Sequence, residues 1–292
     1  MTSSRLNRGM VQVATLDDIR RVAPSVFAEQ PSTVTSNRYA FVPTNKIVEE
    51  MMQNGWMPKA AAEQRVNTTT ERGVARLGYQ KHMLRFTLAG AAGMHTAVVG
   101  EVRPDILVIN SHDASSGIRL MAGLFRYVCS NGMVVSDGTF QSINLRHTGR
   151  AFDIVEASYE MFNEVPKLYE EIELWKNRVM SPEEIKRFAW EAYEARFGEE
   201  KSQLQMSSTL PAPDMEDKIL RVRRKEDIGS SLWSVFNRAQ ENLTNGGFRH
   251  YVGSETTGLK YRRSTGIHSP VSDIKFQRAL WELARGYSYF HN

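Results

Sequence analysis

The sequence predicts an α+β fold: an antiparallel sheet with a packed central helix, followed by a helical hairpin and a C-terminal helical region. Three observations predict it. Within residues 81–146, short runs alternate apolar and polar side chains with the period of half-buried strands. From Ile154 the apolar spacing becomes that of helices. Capping and stopping residues then punctuate the chain where those helices should begin and end.

With 292 residues, 41% of them hydrophobic and 24% charged, the chain can build one large core or two smaller ones. The expected organisation is an N-terminal arm over residues 1–40, an α+β core over 41–150 and an acidic helical hairpin over 151–198. A linker over 199–216 and a basic helical region over 217–292 follow.

In the arm, Thr15 can cap a short helix, with Asp18 as its third-position carboxylate and Leu16, Ile19 and Val22 as its apolar stripe. Thr44 to about Asn54 forms a helix with Ile47, Val48, Met51 and Met52 on one side and Gly55 stopping it. In residues 81–88, Leu84, Phe86 and Leu88 alternate with Met83, Arg85 and Thr87. Further strands are expected over 97–102 and 106–110, and Asp137-Gly138 signals a tight hairpin into 140–146.

Between these strands a helix is expected over residues 115–131, capped by Ser115 or Ser116 and ended by Asn131-Gly132. Ile118, Met121, Ala122, Phe125, Val128 and Cys129 make its wide apolar face. Arg119, Gly123, Arg126 and Ser130 remain as a narrow polar row. That row suits a phosphate backbone; it equally suits two structural arginines meeting carboxylates.

Ile154, Ser158, Met161, Val165, Leu168, Ile172, Trp175 and Val179 keep a heptad-like spacing that Pro166 must kink or divide. Ser181-Pro182-Glu183-Glu184 opens another helix with a capping box, and Gly198 ends it. After the linker come a basic helix and a helix over 232–243 stopped by Asn245-Gly246-Gly247, with Asn237, Gln240 and Glu241 on a polar face. A Gly-, Thr- and Arg-rich loop carries Tyr261-Arg262-Arg263, and a last amphipathic helix spans about 272–287.

The single cysteine, Cys129, has no intramolecular partner, no apolar run has bilayer length, and the N-terminus lacks a secretory pattern. A cytoplasmic protein is expected. There is no phosphate-binding Gly-x-x-x-x-Gly-Lys loop, no dinucleotide fingerprint, no His-Glu-x-x-His and no paired cysteine ligands. No enzyme activity, cofactor or metal is therefore expected. Asn110-Ser111-His112-Asp113, with His147, is the cluster that could support general-base or metal chemistry; the same residues also serve a strand end and a helix cap.

The net charge is only +4, but it is segregated. Basic residues outnumber acidic ones about two to one over 65–150, the balance reverses over 153–200, and Arg221, Arg223, Arg224 and Lys225 restore it. Nucleic acid is the expected partner. The candidate contacts are Arg72, Arg76, Lys81 and Arg85 on the sheet face, Arg119 and Arg126 on the helix, and Arg146 on the hairpin. Arg223, Arg224, Arg262 and Arg263 form a second set; in Tyr261-Arg262-Arg263 an aromatic stands beside two guanidiniums, which suits single-stranded nucleic acid.

The stretches Asn110-Ser111-His112-Asp113-Ala114-Ser115-Ser116-Gly117, Arg126 through Val135, Leu145-Arg146-His147-Thr148-Gly149, Arg223 through Asp227, Asn237 through Gly247 and Arg278 through Ala284 resemble a phage- and plasmid-related family of unknown function, typified by YfjQ and YafZ. The resemblance implies a mobile-element setting. A helix ending in Gly55-Trp56, then meandering strands, then a helix whose arginine-bearing stripe ends at Asn131-Gly132 make a second resemblance, of topology, to the strand-annealing recombination proteins of the Red-beta and RecT class. It implies an ATP-independent homo-oligomer, a ring or filament, that holds single-stranded DNA rather than RNA along a basic groove. An ATP-independent single-strand binding and annealing protein is the expected function. The alternative is a protein-binding accessory factor that inhibits a host defence or restriction system through the acidic hairpin.

Overall fold

The computed structural model describes residues 11–89, 102–126, 132–134, 143–145, 151–163, 165–207, 215–253, 258, 260–267 and 270–289. The chain divides into two compact units, Met1–Pro166 and Lys167–Asn292. Strands β1 (Val11–Gln12), β2 (Trp56–Glu63), β3 (His82–Leu88), β4 (Val102–Asn110), β5 (Ile118–Arg126), β6 (Gly132–Val134) and β7 (Ile143–Leu145) build the sheet of the first unit. They lie in the order β1-β2-β3-β4-β5-β6, with β7 also on β5, and every pairing is antiparallel. The helices of this unit are α1 (Leu16–Val22), α2 (Thr44–Gln53), α3 (Glu71–Val74) and α4 (Ala151–Asn163).

Local chemistry sets most of these boundaries. Thr15 and Asp18 close the expected capping box on α1. Gly55, at φ 82°, turns the chain from α2 straight into β2, a conformation that a side chain would strain. The register Leu84↔Val108 and Phe86↔Ile106 places the alternate residues of β3 and β4 on one face, in line with Trp56 of β2 and Leu120 of β5. All six are buried. Helices α2 and α4 cover that face: Trp56 meets Tyr159 and Phe162 of α4 at ring distances of 5.6 and 5.7 Å, and Ser158 of α4 reaches Met51 of α2.

The helix expected over 115–131 is not there. Residues 118–126 are β5, paired with β4 from Val102↔Arg126 to Ile109↔Arg119. The reason is physical: Ile118, Leu120 and Met121 are buried from opposite sides of the strand, so the alternation that reveals a half-buried strand is absent. The apolar run is then indistinguishable by period from a buried helix. α2 and α4 take the place of the packed central helix. The strand expected at 106–110 is the second half of β4, whereas most of the 97–102 strand and the Asp137-Gly138 turn lie outside the described residues.

The second unit contains α5 (Val165–Asn177), α6 (Pro182–Phe197), α7 (Glu199–Ser207), α8 (Met215–Ile219), α9 (Leu232–Asn245) and α10 (Pro270–Tyr289), with a two-stranded ribbon of β8 (Arg249–Val252) and β9 (Lys260–Arg263). Ser181 and Glu184 form the capping box on α6, as its sequence announces. Leu168, Ile172 and Trp175 of the heptad-like series are buried, but Val179 is 66% exposed. Trp175 packs on Trp281 at 4.4 Å and Phe236 at 5.5 Å, which makes α9 the centre of this core. Hence Asn237, Gln240 and Glu241, the expected polar face, are buried; Gln240 bonds Gln277 at 2.9 Å, and Gln277 bonds Thr244. The division between the units falls at Pro166, inside the expected acidic hairpin, and the stretch expected as a linker begins with α7, which packs on β8. Among the described residues, no helix is long and apolar enough to cross a membrane.

Candidate nucleic-acid interface

The cations expected on the sheet face do not form one surface. Arg85 is the one that lies within a strand, and its guanidinium pairs at 3.2 Å with the fully buried Asp105, which also accepts the Thr87 hydroxyl. A buried ion pair of this kind holds the sheet together and offers little to a ligand. Arg76 lies in the turn after α3 and pairs with Asp113 at 3.2 Å. Lys81 precedes β3, where its carbonyl accepts Gln64 N–H. Arg72, exposed, belongs to α3.

Arg119 is exposed on β5, and Arg126 ends the same strand. A helix would set them about 10 Å apart on one face. Seven residues of strand instead span about 23 Å and place the two positions on opposite faces. Arg146 and His147 lie outside the described residues.

In the second unit, Arg224 makes a bidentate pair with Glu241, at 3.1 and 2.9 Å, and Arg223 donates to Asn242 Oδ1. The Asn242 amide in turn donates to the carbonyls of Ile219 and Arg221. These arginines fasten the segment before α9 to that helix.

Arg262 and Arg263 differ. Both are exposed on β9, where all four residues face solvent. The register is Arg249↔Arg263, His250↔Arg262, Tyr251↔Tyr261 and Val252↔Lys260. Ser264 N–H donates to the Phe248 carbonyl, and the Gln205 side chain of α7 brackets Tyr251, donating to its carbonyl at 2.9 Å and accepting its N–H at 2.7 Å. By alternation, Arg249↔Arg263 and Tyr251↔Tyr261 are non-hydrogen-bonded pairs, where facing side chains come closest. One ribbon face therefore carries two arginines beside two tyrosines; the other carries Lys260 and Arg262. The Arg249 guanidinium lies 5.6 Å from the Tyr261 ring centre, and the two tyrosine rings are 5.1 Å apart.

Four of the eight paired residues are basic and none is acidic. Gly246 makes the ribbon possible: at φ 64° it lies against the Thr265 carbonyl, where a Cβ would stand 2.6 Å from the oxygen. Sequence reasoning found Arg262 and Arg263 but missed Arg249 and Lys260. Tyr261-Arg262-Arg263 reads as a loop until its partner strand is known.

The His112 cluster is closed. Thr44 Oγ1 lies 2.8 Å from His82 Nε2, 3.1 Å from His112 Nε2 and 2.9 Å from Asn110 Nδ2, and all four residues are buried. His82 Nδ1 faces the Gln80 carbonyl at 3.1 Å and so carries the ring proton. His82 Nε2 then accepts the Thr44 hydroxyl, which itself accepts N–H groups from His112 and Asn110. Asp113 serves Arg76 and the Ser115 N–H. Among the described residues, no group of three or more His, Cys, Asp or Glu is arranged to hold a metal.

Burial, reinforced by the neighbouring His112, pushes His82 down from 6.5 to about 3. Below pH 6.5 the unfolded chain gains a proton that the folded chain refuses. His82 therefore contributes stability to the first unit that is fully present above pH 6.5 and is lost progressively as the pH falls from there towards 3. In the second unit, burial lowers His250 to about 4, with the same sign, but raises Asp273 from 3.8 to about 6. Asp273 acts oppositely, because the folded carboxyl keeps a proton that the unfolded one has lost. Hydrogen exchange at pH 7 and 5, corrected for intrinsic rates, should show β3 and β4 losing more protection than α9. Equal losses would contradict these assignments.

The family described as "Domain of unknown function (DUF932)" matches residues 31–281. The chain is 31% identical to the UPF0380 protein YafZ of Escherichia coli (strain K12) over 271 residues, covering 92% of this chain and 90% of that protein. It is also 31% identical to the UPF0380 protein YfjQ of the same organism over 273 residues, with the same coverage of each. No solved structure matches it. The helix on which the topological likeness to annealing proteins rested is β5.

Proposed function

We infer, for a chain that belongs to the DUF932 family, an ATP-independent protein that binds and anneals single-stranded DNA in recombination or replication of a prophage or plasmid. It works without catalysis, as a cytoplasmic homo-oligomer, and DNA rather than RNA follows from the mobile-element setting. The observation that carries the reading is the β8–β9 ribbon, with two cations on each face, no carboxylate among its paired residues, and Tyr261 43% exposed on the face of Arg249 and Arg263. Stacking on an aromatic ring is sequence-tolerant, and guanidiniums bind phosphate in fork geometry, so an unpaired strand suits this surface. The alternative, a protein-binding factor acting through an acidic hairpin, has less support. Glu171 is held by Arg285 and Trp281, Glu184 by Arg178, and Glu191 by Tyr287.

Titrating a labelled oligothymidylate across a salt series tests the reading. Affinity should fall log-linearly with salt, and K260Q/R262Q should bind about tenfold more weakly with a slope shallower by about 1.4, two lost phosphate contacts at about 0.7 each. R72Q/R119Q, on the first unit, should match the wild type. An affinity flat over a fourfold salt range would end the proposal.

A further inference from the structure

Resting on that reading, we propose that Arg249 and Arg263 form a phosphate subsite, with the Tyr261 ring as the platform for the adjoining base. Like charges directly opposite each other on an antiparallel pair repel, most strongly where the side chains approach most closely. Arg249 and Arg263 occupy such a pair. Among the described residues, neither has a carboxylate partner. Arg263 Nε donates to the Gly247 carbonyl at 3.0 Å, and the Arg249 guanidinium leans over Tyr261. Each guanidinium is thus held in place by a neutral group that cancels none of its charge, and each keeps further N–H donors in a planar fork.

Elsewhere in this unit, Arg223, Arg196 and Arg238 bond to amide or carbonyl oxygens. Arg224 and Arg285 each meet a glutamate in bidentate contact. Among the described residues, no carboxylate compensates the ribbon pair. A phosphate dianion or diester between the two forks would remove the repulsion and accept charge-assisted hydrogen bonds from both. Tyr261, two residues from Arg263 on the same face, then lies about 7 Å along the strand, the span of one nucleotide step. The subsite therefore takes a phosphate followed by an unpaired base. A free phosphate and a strand phosphate share this chemistry.

The test compares wild type with R249Q/R263Q by melting in potassium phosphate and in potassium chloride at matched ionic strength, and by binding of oligothymidylate. In chloride the double variant should melt at or above the wild-type temperature, since a repulsion has been removed. Phosphate should raise the wild-type melting temperature by a few degrees and leave the variant unmoved. The variant should bind oligothymidylate at least tenfold more weakly, and Tyr261→Ala should weaken the oligonucleotide while leaving the phosphate shift intact. A variant that melts well below wild type in chloride would make the arginines structural and overturn the subsite. So would wild-type oligonucleotide affinity in R249Q/R263Q alongside a loss in K260Q/R262Q, an outcome that spares the broader reading. A phosphate shift in wild type without any oligonucleotide binding would keep the anion site, assign it to free phosphate and end the single-strand reading. No phosphate shift in wild type would overturn the subsite.

Discussion

Arg85→Leu is expected to destabilise the first unit by about 3–5 kcal/mol, because it strands the carboxylate of Asp105 in a place from which water is excluded. Asp105 is fully buried on β4, Arg85 reaches it from the neighbouring strand, and the Thr87 hydroxyl bonds to the same carboxylate. Removing the cation takes the paired charge away from a fully buried anion, which must then take up a proton or unfold the sheet. Replacing both partners, as in R85M/D105L, should recover most of the loss, since two apolar side chains of similar bulk need no compensation. Denaturant unfolding of the wild type, R85L and R85M/D105L measures the loss and its recovery. A single-variant cost under about 1 kcal/mol would mean the pair is solvated and unimportant to the sheet. Oligonucleotide affinity of the folded R85L protein should equal that of wild type; a marked loss would return Arg85 to the interface.

Thr44→Val should cost about 3 kcal/mol or more for a change of almost no volume. The hydroxyl donates to His82 Nε2 and accepts from His112 and Asn110, so one substitution takes a hydrogen bond from three buried groups. Each buried polar atom left without its bond costs about 1–3 kcal/mol. Thr44→Ser keeps the hydroxyl and loses a methyl group, and should cost about 1 kcal/mol. The difference between the two variants isolates the hydroxyl. If valine and serine prove equally mild, the proton arrangement assigned to the cluster is wrong, and His112 becomes available for the general-base chemistry its neighbours first suggested.

That cluster also shows where sequence reading stops. Asn110-Ser111-His112-Asp113 could be noticed as polar residues at the end of a strand, but Thr44 and His82, which decide what His112 does, come from α2 and β3. No local pattern joins them. Arg85 and Asp105 meet in the same way, across a strand register. Short-range signals fared better. The capping boxes at Thr15 and Ser181 and the stops at Gly55, Gly198 and Gly246 appear where the residues place them. Leu84 and Phe86 of β3 are buried as their spacing requires, but Met83 and Thr87, which alternate with them, are buried too and Leu88 is only half-buried.

By itself, then, the sequence determined the α+β class, most helix limits, the heptad-like run from Ile154 to Trp175 and the family to which the chain belongs. These depend on interactions a few residues apart or on patterns repeated along one element. Tertiary structure alone decided that residues 118–126 are a strand, since burial on both faces erases the period that distinguishes strand from helix. It also decided which arginines are neutralised and which are not. A guanidinium's role depends on the carboxylate or carbonyl that the fold brings to it, as Glu241 comes to Arg224 and the facing Arg249 to Arg263. Charge is written in the sequence, but its compensation is a property of distance, and distance is set only when the chain has packed.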